Sequence, residues 1–560
     1  ENPWERLRLL RKAMPNVLLQ MLIRGSNGVG YKAYSDNLIG EFVEQSWENG
    51  VDVFRIFDSL NWMKSLGPCI EHVRTRTGGL AEGSICYTND ILDSKNTKYN
   101  LKYYVNLAKE IEGAGAHILG VKDMAGLLKP YAAYELISAL KSELKIPIHL
   151  HTHDTSSIQS ATYLKAIEAG VDVVDVALGG LSGLTSQPNF NSVVEMMKFQ
   201  DRASTINIDS LNEYSNYWEA VREYYYPFES GLKAGSGEVF KHEIPGGQYS
   251  NLKPQAQALG LEDRFHEITK MYGKVNTLFG DIIKVTPSSK VVGDMAQYLV
   301  SNNLTIQDVI ERGDTISFPQ SVVDLFKGEL GQAVGGFPKK LQKLILKDQK
   351  PYTDRPNAHI PALDLDAEYK AFKKIFENDL SRKIDYTDFL SYQLYPKVFT
   401  DAYNKHLKYD NLMNLPTKNF FYGMEIGEEI IIELDRGKTL LVTLDSIGKA
   451  NIDGMVTVYF KVNGQGRSVV IKDTSIKVDK VENLKADKAD DNQIGAPLQG
   501  MLSTILVKKG EKVTKNQPLF IIEAMKMETT ITATADATVK KIVLKTGFMV
   551  NSEDLVIVLE

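Results

Sequence analysis

The sequence predicts a multidomain α/β chain that opens with a TIM-type (β/α)8 barrel and closes with a flattened β-barrel. Three observations support this: β-rich runs alternate with helical stretches over residues 1–205, glycines follow the helices, and a strand–turn–strand unit occurs twice at the C-terminus. Between them we expect a helical annex at 206–405, a β-rich domain at 406–480 and a linker at 481–492, with the flattened barrel at 493–560. A chain of 560 residues is too long for one core.

The bulk composition excludes several functional classes. The chain is 43% hydrophobic and 24% charged, as is usual for a globular protein. A formal charge of −6 argues against nucleic acid or an anionic membrane surface as a partner. The two cysteines, Cys69 and Cys86, predict a reducing, cytoplasmic location without a disulfide framework. No run approaches the roughly 18 apolar residues that a membrane span needs, and no signal peptide opens the chain.

Six apolar runs predict the parallel strands of the barrel: Val17–Ile23, Val51–Phe57, Gly83–Tyr87, His117–Val121, Ile146–His151 and Val171–Ala177. Amphipathic stretches such as Asp36–Glu48, Leu101–Ile111 and Tyr131–Leu144 predict the intervening helices. Gly50, Gly115 and Gly170 follow helices, where a left-handed cap is expected.

Polar residues at the ends of these runs favour a barrel over a doubly wound sheet. They are Arg24, Asp58, Asn89, Lys122, Asp123, His151, His153 and Asp154. A ring of functional groups at the carboxyl ends of the strands is typical of barrel enzymes, and no Gly-x-Gly-x-x-Gly follows a strand. Because a closed barrel needs eight strands, we expect two further strands upstream of Glu1 that this chain lacks.

The segment Ile146–Thr155 contains the sharpest local signal. His149, His151 and His153 alternate along a strand and share one face, so two of them could bind a divalent metal; the alternative is a core histidine. Lys122 could form a Schiff base, bind an anion or pair with Asp123. Arg24 could grip a substrate carboxylate or form an inter-strand salt bridge. The residues alone leave these alternatives open.

Five motifs resemble the carboxyltransferase domain of the pyruvate carboxylase family: Arg-Gly-Ser-Asn-Gly-Val-Gly-Tyr, Phe-Arg-Ile-Phe-Asp, Ile-Cys-Tyr-Thr, Val-Lys-Asp-Met-Ala-Gly-Leu-Leu-Lys-Pro and His-Leu-His-Thr-His-Asp-Thr. The resemblance implies that Lys122 is carbamylated and binds a divalent ion (Mn, Zn or Mg) together with His151 and His153. It implies further that Arg24 binds the pyruvate carboxylate and that Tyr31 helps to hold the substrate. The family's first-strand motif Arg-Asp-Ala-His-Gln, which supplies a metal ligand, does not occur here.

Two annex segments match the same family, His242–Leu252 and Lys284–Asp294. The resemblance implies that Thr286 carries a proton between biotin and pyruvate, and that Ser289 and Lys290 are neighbours of the biotin ring. Without the resemblance, Thr286 before a proline indicates only a turn. The domain at 406–480 shows antiparallel strand patterns over Glu428–Leu434, Thr439–Leu444, Val456–Val462 and Ser468–Ile471. In the family this position holds the tetramerisation and allosteric region, followed here by a polar linker.

The C-terminal repeat aligns Met501–Glu523 with Thr538–Glu560, so that Gly510 matches Gly547 and Leu519 matches Val556. The stretch between the copies is predicted to be a hairpin with Lys526 near its tip. Its Ala-Met-Lys-Met sequence resembles the biotin carboxyl carrier domain, which implies that biotin is attached to Lys526 by an amide bond.

The sequence therefore predicts the carboxyltransferase portion of a biotin-dependent ligase of gluconeogenesis and anaplerosis, which converts pyruvate to oxaloacetate. The ATP-binding biotin carboxylase domain is expected upstream or on another chain, and the other expected partners are a biotin protein ligase and three further copies in a homotetramer. Two alternatives stay open: an oxaloacetate decarboxylase α-type carboxyltransferase, and a carrier or scaffold without catalysis.

Overall fold

The computed structural model describes residues 2–376, 384–410, 412–451, 454–473, 483–487, 490, 492–524 and 527–560. The chain divides into two compact units. The larger contains Asn2–Glu219, Phe228–Glu368 and Leu484–Glu560, and the smaller contains Ala220–Pro227 and Tyr369–Asn483. No helix within the described ranges has both the length and the apolar character to cross a bilayer.

A parallel six-stranded sheet forms the first part of the larger unit. Its strands are β1 (Gln20–Ile23), β2 (Val53–Phe57), β3 (Leu80–Cys86), β4 (Ile118–Asp123), β5 (Ile148–Thr152) and β6 (Val173–Val174). They pair in the order β1-β2-β3-β4-β5-β6. A doubly wound sheet would reverse direction at a switch point, so this unbroken order identifies a TIM-like barrel segment and confirms the predicted fold class.

Helices connect the strands as the periodicity predicted: α1 (Pro3–Ala13), α2 (Asp36–Glu48), α3 (Met63–Arg76), α4 (Leu101–Gly113), α5 (Pro130–Glu143) and α6 (Gln159–Glu168). Gly50, Gly115 and Gly170 have φ values of 124°, 88° and 97°. This left-handed backbone lets the chain leave each helix and enter the next strand, and a side chain there would be strained.

The region after the barrel is helical, as predicted. Its α-helices are α7 (Phe190–Met196), α8 (Ile208–Arg222), α9 (Val239–His242), α10 (Gly246–Ala258), α11 (Phe265–Leu278), α12 (Ser288–Ser301), α13 (Ile306–Arg312), α14 (Gln320–Lys327), α15 (Lys339–Leu346), α16 (Leu365–Phe376), α17 (Tyr386–Leu394), α18 (Pro396–Tyr409) and α19 (Thr417–Tyr422). The helix α12 is buried along nearly its whole length. Its packing against α10, α11 and α14 builds the core of the annex.

The smaller unit ends in an antiparallel meander of four strands, in the order β10-β9-β8-β7. The strands are β7 (Glu429–Asp435), β8 (Lys438–Ile447), β9 (Met455–Val462) and β10 (Gln465–Lys472). They confirm the four strand patterns of the sequence. Within the predicted linker, residues 481–482, 488–489 and 491 lie outside the described residues, whereas Lys485 pairs with Asp554 at 2.9 Å.

Two four-stranded antiparallel sheets form the C-terminal domain, β11-β18-β16-β13 and β15-β14-β12-β17. The strands are β11 (Gln493–Gly495), β12 (Gly500–Ile505), β13 (Lys512–Val513), β14 (Pro518–Ala524), β15 (Met527–Thr532), β16 (Ala537–Ile542), β17 (Met549–Val550) and β18 (Leu555–Leu559).

The internal repeat accounts for this architecture. The hairpin β12–β14 of the first copy corresponds to β16–β18 of the second, and each copy lends its short strand, β13 or β17, to the sheet of the other. The equivalent residues Leu519 and Val556 are both fully buried. Strands β14 and β15 form the predicted hairpin, in which Ala524 pairs with Met527. Lys526 lies outside the described residues.

Candidate functional site

Strands β4 and β5 bring the predicted metal ligands together at the carboxyl end of the barrel. The parallel register pairs Lys122 with His151, so their Cα atoms are direct neighbours across the sheet. His153 follows β5, and its backbone N–H donates to the carbonyl of Asp123 at 3.2 Å. This places His151, His153 and Lys122 at the end of the sheet where barrel enzymes carry their chemistry.

The two imidazoles point at each other, with 3.3 Å between their Nε2 atoms. His153 Nδ1 lies 2.7 Å from the carbonyl oxygen of Thr185, which can only accept, so this nitrogen carries the proton. His151 Nδ1 lies 2.7 Å from a carboxylate oxygen of Asp175 and is the donor for the same reason. Both Nε2 lone pairs are therefore free to bind one ion. Two metal–nitrogen bonds of about 2.0–2.1 Å near the tetrahedral angle span roughly 3.4 Å, close to the observed separation.

Burial keeps both imidazoles uncharged. It lowers the pKa of His153 to about 4, with a further contribution from the cationic form of Lys122. The same two causes, burial first, hold the pKa of His151 well below its usual value. Metal ligation requires neutral imidazole, so both ligands are ready at neutral pH without releasing a proton.

Lys122 is a buried amine without a strong partner. Its Nζ atom lies 5.5 Å from the centroid of the Phe57 ring and makes no hydrogen bond or salt bridge with any residue in the described ranges. Burial lowers the pKa of Lys122 to about 8, so an appreciable fraction of this amine is uncharged near neutral pH. An uncharged amine can add CO2, and the resulting carbamate would present oxygen ligands in place of a cation. This environment disfavours the simple pairing of Lys122 with Asp123.

Four charged side chains, Arg55, Glu82, His149 and Asp175, form a hydrogen-bonded network that supports the imidazole of His151. Asp175 accepts from His151 Nδ1 and from His149 Nε2, both at 2.7 Å, and forms a 2.5 Å salt bridge with Arg55. The fully buried Glu82 pairs with Arg55 at 2.6 Å and with His149 Nδ1 at 3.0 Å. Gly120 leaves room for this network, because a Cβ atom there would lie 2.7 Å from Glu82 Oε1.

The pKa shifts in this network give two cations and two anions. Burial opposes charge on His149, but hydrogen bonds to Asp175 and Glu82 outweigh it and raise the pKa of His149. Burial would raise the pKa of Asp175, but hydrogen bonds from His149 and His151 hold it well below its usual value. His149 therefore belongs to the supporting network, and this third histidine of the alternating pattern is not one of the predicted metal ligands. Asp175 is a functional residue that the sequence did not reveal.

Arg24 directly follows β1 and begins a tight loop. Its backbone N–H donates to the carbonyl of Gly28 at 2.6 Å, and its Nη1 donates to the carbonyl of Val29 at 2.6 Å. Its guanidinium carbon lies 5.3 Å from the centroid of the Tyr31 ring. The Nε atom is buried and has no hydrogen-bond partner in the part of the chain that the structure describes. A buried N–H donor without an acceptor can bind a substrate carboxylate. The alternative, an inter-strand salt bridge, is not supported, because no acidic side chain in the described ranges pairs with Arg24.

The annex brings Thr286 to the same end of the barrel. The hydroxyl of Ser288, two residues on, lies 3.2 Å from the carbonyl of Ser59, the second residue after the carboxyl end of β2. Thr286 is partly exposed at the start of α12. Ser289 Oγ is buried without a hydrogen-bond partner among described residues, and Lys290 pairs with Asp294 at 2.6 Å. The structure thus places the turn over the strand ends, while Lys290 is engaged within its own helix.

The annex segments His242–Leu252 and Lys284–Asp294 contact each other, and the first also packs against His153, a predicted metal ligand. Lys284, only 2% exposed, pairs with Glu243 at 2.6 Å and joins the two segments. Gly246 packs against His153 so closely that a Cβ atom would lie 2.8 Å from the Nδ1 atom. Its N–H donates to the carbonyl of Met124 at 2.9 Å. The glycine of this motif is therefore needed for annex backbone to cover the imidazole.

Several polar residues at the strand ends serve structure instead of chemistry. Asp58 accepts from the N–H groups of Leu60 and Trp62, and burial raises the pKa of Asp58 to about 6. Asp123 accepts from two backbone N–H groups and from the hydroxyl of Thr152. Asn89 Nδ2 donates to the carboxylate of Asp281, and Asp154 accepts from the N–H of Gln159. These side chains cap loops, so the predicted ring of functional groups is narrower than expected.

The C-terminal domain contacts the annex. Strand β15 lies against α14: Thr529 forms an antiparallel bridge with Pro319, and Thr530 Oγ1 lies 3.3 Å from Gln320 Oε1. Lys347 also reaches Asn516 Oδ1 at 3.1 Å.

The site can be compared with the ligand demands of a divalent ion. No three His, Cys, Asp or Glu side chains in the described ranges converge on a metal-sized space. The described ligands are two imidazoles, and carbamylated Lys122 would add oxygen donors. A set of nitrogen and oxygen donors suits Zn²⁺ or Mn²⁺ better than soft-ligand metals.

Three family models match the chain. The models described as HMGL-like, conserved carboxylase domain and biotin-requiring enzyme match residues 62–217, 239–443 and 492–559. Pyruvate carboxylases of Bacillus subtilis (strain 168) and Staphylococcus aureus (strain Mu50 / ATCC 700699) are 53% and 49% identical over 100% of this chain and 48% of their own length. The chain thus spans about half the length of these relatives.

Solved structures of the Rhizobium etli pyruvate carboxylase are similar. The carboxyl transferase domain with pyruvate and biocytin is 50% identical with a TM-score of 0.80, and the match covers 85% of this chain and 79% of that one. The complete multifunctional enzyme also gives a TM-score of 0.80 and 50% identity, over 85% of this chain and 46% of that one.

Asp175→Asn should weaken Zn²⁺ binding about 10–100-fold, because the neutral amide no longer fixes the tautomer and orientation of His151. The measurement is a competition titration of the full chain with a chelating indicator. Asp172→Asn is the matched control, since Asp172 accepts from Lys141 and from a backbone N–H and does not touch the histidines. Equal Zn²⁺ affinities for the two folded variants would contradict the assignment.

Proposed function

Because the chain belongs to the pyruvate carboxylase family, we propose that it transfers a carboxyl group from carboxy-biotin to pyruvate and forms oxaloacetate. The observation that carries the proposal is the convergence of two neutral imidazoles beside a buried lysine at the carboxyl end of the barrel. Arg24 with its free donor and the Thr286 turn lie at the same end. Metal ligands, a carboxylate binder and a proton carrier are the parts that this half-reaction requires.

His151, His153 and carbamylated Lys122 would hold the divalent ion, and Lys526 would carry biotin through an amide bond. When bound, the ion supplies Lewis-acid stabilisation of negative charge and biotin supplies the transferable carboxyl group. The residues of the chain have to bind pyruvate, keep water away from the reacting atoms and move one proton.

Arg24 binds the carboxylate of pyruvate. Its planar guanidinium can form charge-assisted hydrogen bonds to both carboxylate oxygens, and one of its nitrogen atoms already lies buried without an acceptor. Tyr31, which is 49% exposed and stacked near the same guanidinium, helps to hold the substrate. With the carboxylate fixed at one end, the methyl group of pyruvate is directed to a constant position.

Thr286 moves the proton. Its hydroxyl oxygen would take a proton from the methyl group of pyruvate while its own proton leaves towards the carrier, so the side chain ends the step unchanged. Carboxy-biotin, when bound, would supply CO2 by cleavage of its nitrogen–carboxyl bond, and its ring nitrogen would receive that proton. The deprotonated carbon of pyruvate would form the new bond to CO2 and give oxaloacetate. Ser289 and Lys290 lie on the first turn of α12, next to this hydroxyl, and are candidates for contacts to the biotin ring.

The two alternative functions have less support. The catalytically inert scaffold fits poorly with imidazoles whose tautomers are fixed so that both lone pairs face one space. A decarboxylase of the oxaloacetate type would use the same residues in the reverse direction. The relatives described above are pyruvate carboxylases, which favours carboxylation.

The complete Rhizobium etli enzyme is multifunctional, and we propose that a biotin carboxylase domain, on the same polypeptide or a separate chain, loads the carrier here as well. The division into 1–205, 206–405, 406–480, 481–492 and 493–560 is our proposal for the functional domains. Homotetramer formation, modification by a biotin protein ligase and a cytoplasmic location belong to the same proposal. The two cysteines are free and buried.

Thr286→Ala should lower carboxyl transfer about 10²–10⁴-fold, because no group then carries the proton between the two reactants. Transfer is measured as oxaloacetate-dependent carboxylation of free biotin by the full chain. Thr286→Ser keeps the hydroxyl and should retain most of the rate. If the alanine variant reacts as fast as the serine variant, Thr286 is not the proton carrier.

Lys526→Arg should abolish biotinylation, since a guanidinium cannot form the amide that a biotin ligase makes with an amine. Intact mass after co-expression with a biotin ligase reports the modification. Lys541→Arg, a change of the same kind in β16 of the same domain, should leave it intact. A biotin-sized mass increase on the Lys526 variant would show that another lysine is the acceptor.

A further inference from the structure

A segment of the annex is tied to the loop that carries Arg24 and Tyr31. We call residues 355–363 the strap and residues 24–37 the substrate loop. The strap lies more than 300 positions further along the chain, yet it hydrogen-bonds to the loop at Ser26, Tyr34, Asp36 and Asn37. Contacts this distant in sequence form only when the annex folds onto the barrel.

Asn357 holds both sides of the loop with one amide. Its Nδ2 atom donates to the carbonyl of Ser26 at 2.9 Å and to the carbonyl of Tyr34 at 2.6 Å. The residue is only 2% exposed. Ser26 and Tyr34 bracket Tyr31 in the sequence, so the amide closes the part of the loop that contains this side chain.

Arg355 supplies the second tie. Its Nη1 and Nη2 atoms lie 2.5 and 2.6 Å from the two carboxylate oxygens of Asp36, and Nη1 also lies 3.4 Å from Ser26 Oγ. The side chain is 15% exposed, so solvent screens the pair only partly. Asp36 is the first residue of α2, where the loop ends. The far end of the loop is thereby fixed in direction as well as in position.

A third tie joins Asn37 to Leu363 through two hydrogen bonds, with Asn37 Nδ2 donating at 2.8 Å and Leu363 N–H donating at 3.0 Å. The loop itself has two glycines with positive φ, Gly25 at 41° and Gly28 at 54°. Glycine backbone of this kind has many alternative conformations, so the loop needs external contacts to keep one of them.

We infer that Arg355 and Asn357 are positioning residues for pyruvate: by fixing the substrate loop, they hold Arg24 and Tyr31 in the geometry that receives the substrate carboxylate. This inference rests on the proposed function, because it assumes that Arg24 binds that carboxylate. Neither strap residue is assigned a contact with substrate, metal or biotin. The annex therefore contributes to substrate affinity as well as to proton transfer.

The test compares two Asp→Asn variants that each remove one ion pair between the strap region and the barrel. Asp36→Asn breaks the pair with Arg355 at the substrate loop. Asp354→Asn breaks the surface pair with Lys64 at 3.0 Å but keeps an amide oxygen that can still accept from the backbone N–H of Arg355. The readouts are the dissociation constant for pyruvate by calorimetry on the full chain, kcat and KM for pyruvate, Zn²⁺ affinity and the thermal midpoint.

Asp36→Asn should weaken pyruvate binding and raise KM about tenfold or more, because a displaced Arg24 loses geometry that a small ligand cannot restore. The change in kcat should be smaller than the change in KM, and Zn²⁺ affinity should stay as in the parent. Asp354→Asn should match the parent in all four readouts. Arg355→Lys keeps the charge but loses the fork, so its pyruvate affinity should fall between those of the parent and Asp36→Asn.

The outcomes distinguish the role of Arg24 from the role of the strap. If Arg24→Lys leaves pyruvate affinity unchanged, the proposed role of Arg24 is wrong. If Arg24→Lys weakens binding but Asp36→Asn behaves like Asp354→Asn, only the strap inference is overturned. A general loss of metal affinity, kcat and thermal midpoint in Asp36→Asn would also overturn it, since that pattern describes a structural residue.

Discussion

The site depends on holding two uncharged imidazoles with their lone pairs on the same small space. His151 and His153 are neighbours along one strand end, and their Nε2 atoms are 3.3 Å apart. Without a partner on each Nδ1 atom, either ring could rotate or change tautomer and point a proton into the space between the two rings. The carboxylate of Asp175 and the carbonyl of Thr185 remove that freedom.

The carboxylate that orients His151 is itself a buried charge and needs compensation. Asp175 obtains it from Arg55 and from protonated His149, and Glu82 balances the second of these cations. A buried ion pair with one member removed is costly, because the remaining charge has lost both its solvent and its partner. The four groups therefore act as a unit, so a substitution of Glu82 should also change the environment of His151.

The sequence predicted the elements of the site better than their connections. Strand and helix periodicity is a local property, and all six barrel strands and the carrier repeat follow from it. His151, His153 and Lys122 were recognisable because they stand at strand ends. Asp175 was not, because it follows a strand of only two residues, and its side-chain partners come from the distant strands β2 and β5. Asp58 and Asp123 also stand at strand ends, but only the fold shows that their carboxylates accept hydrogen bonds from backbone N–H groups.

The annex residues illustrate the same limit, because their contacts between helices cannot be read from the sequence. Asp294 is an example: it is 1% exposed, and its Oδ2 atom lies 2.6 Å from Lys290 Nζ and 2.7 Å from Ser321 Oγ. Ser321 belongs to α14, the helix that β15 of the carrier contacts, and Lys290 belongs to α12, whose first turn follows Thr286. One buried carboxylate thus fixes α14, which contacts β15 of the C-terminal domain, relative to α12, which begins just after the Thr286 turn. The surface that β15 contacts and the turn to which we assign proton transfer therefore share one rigid support.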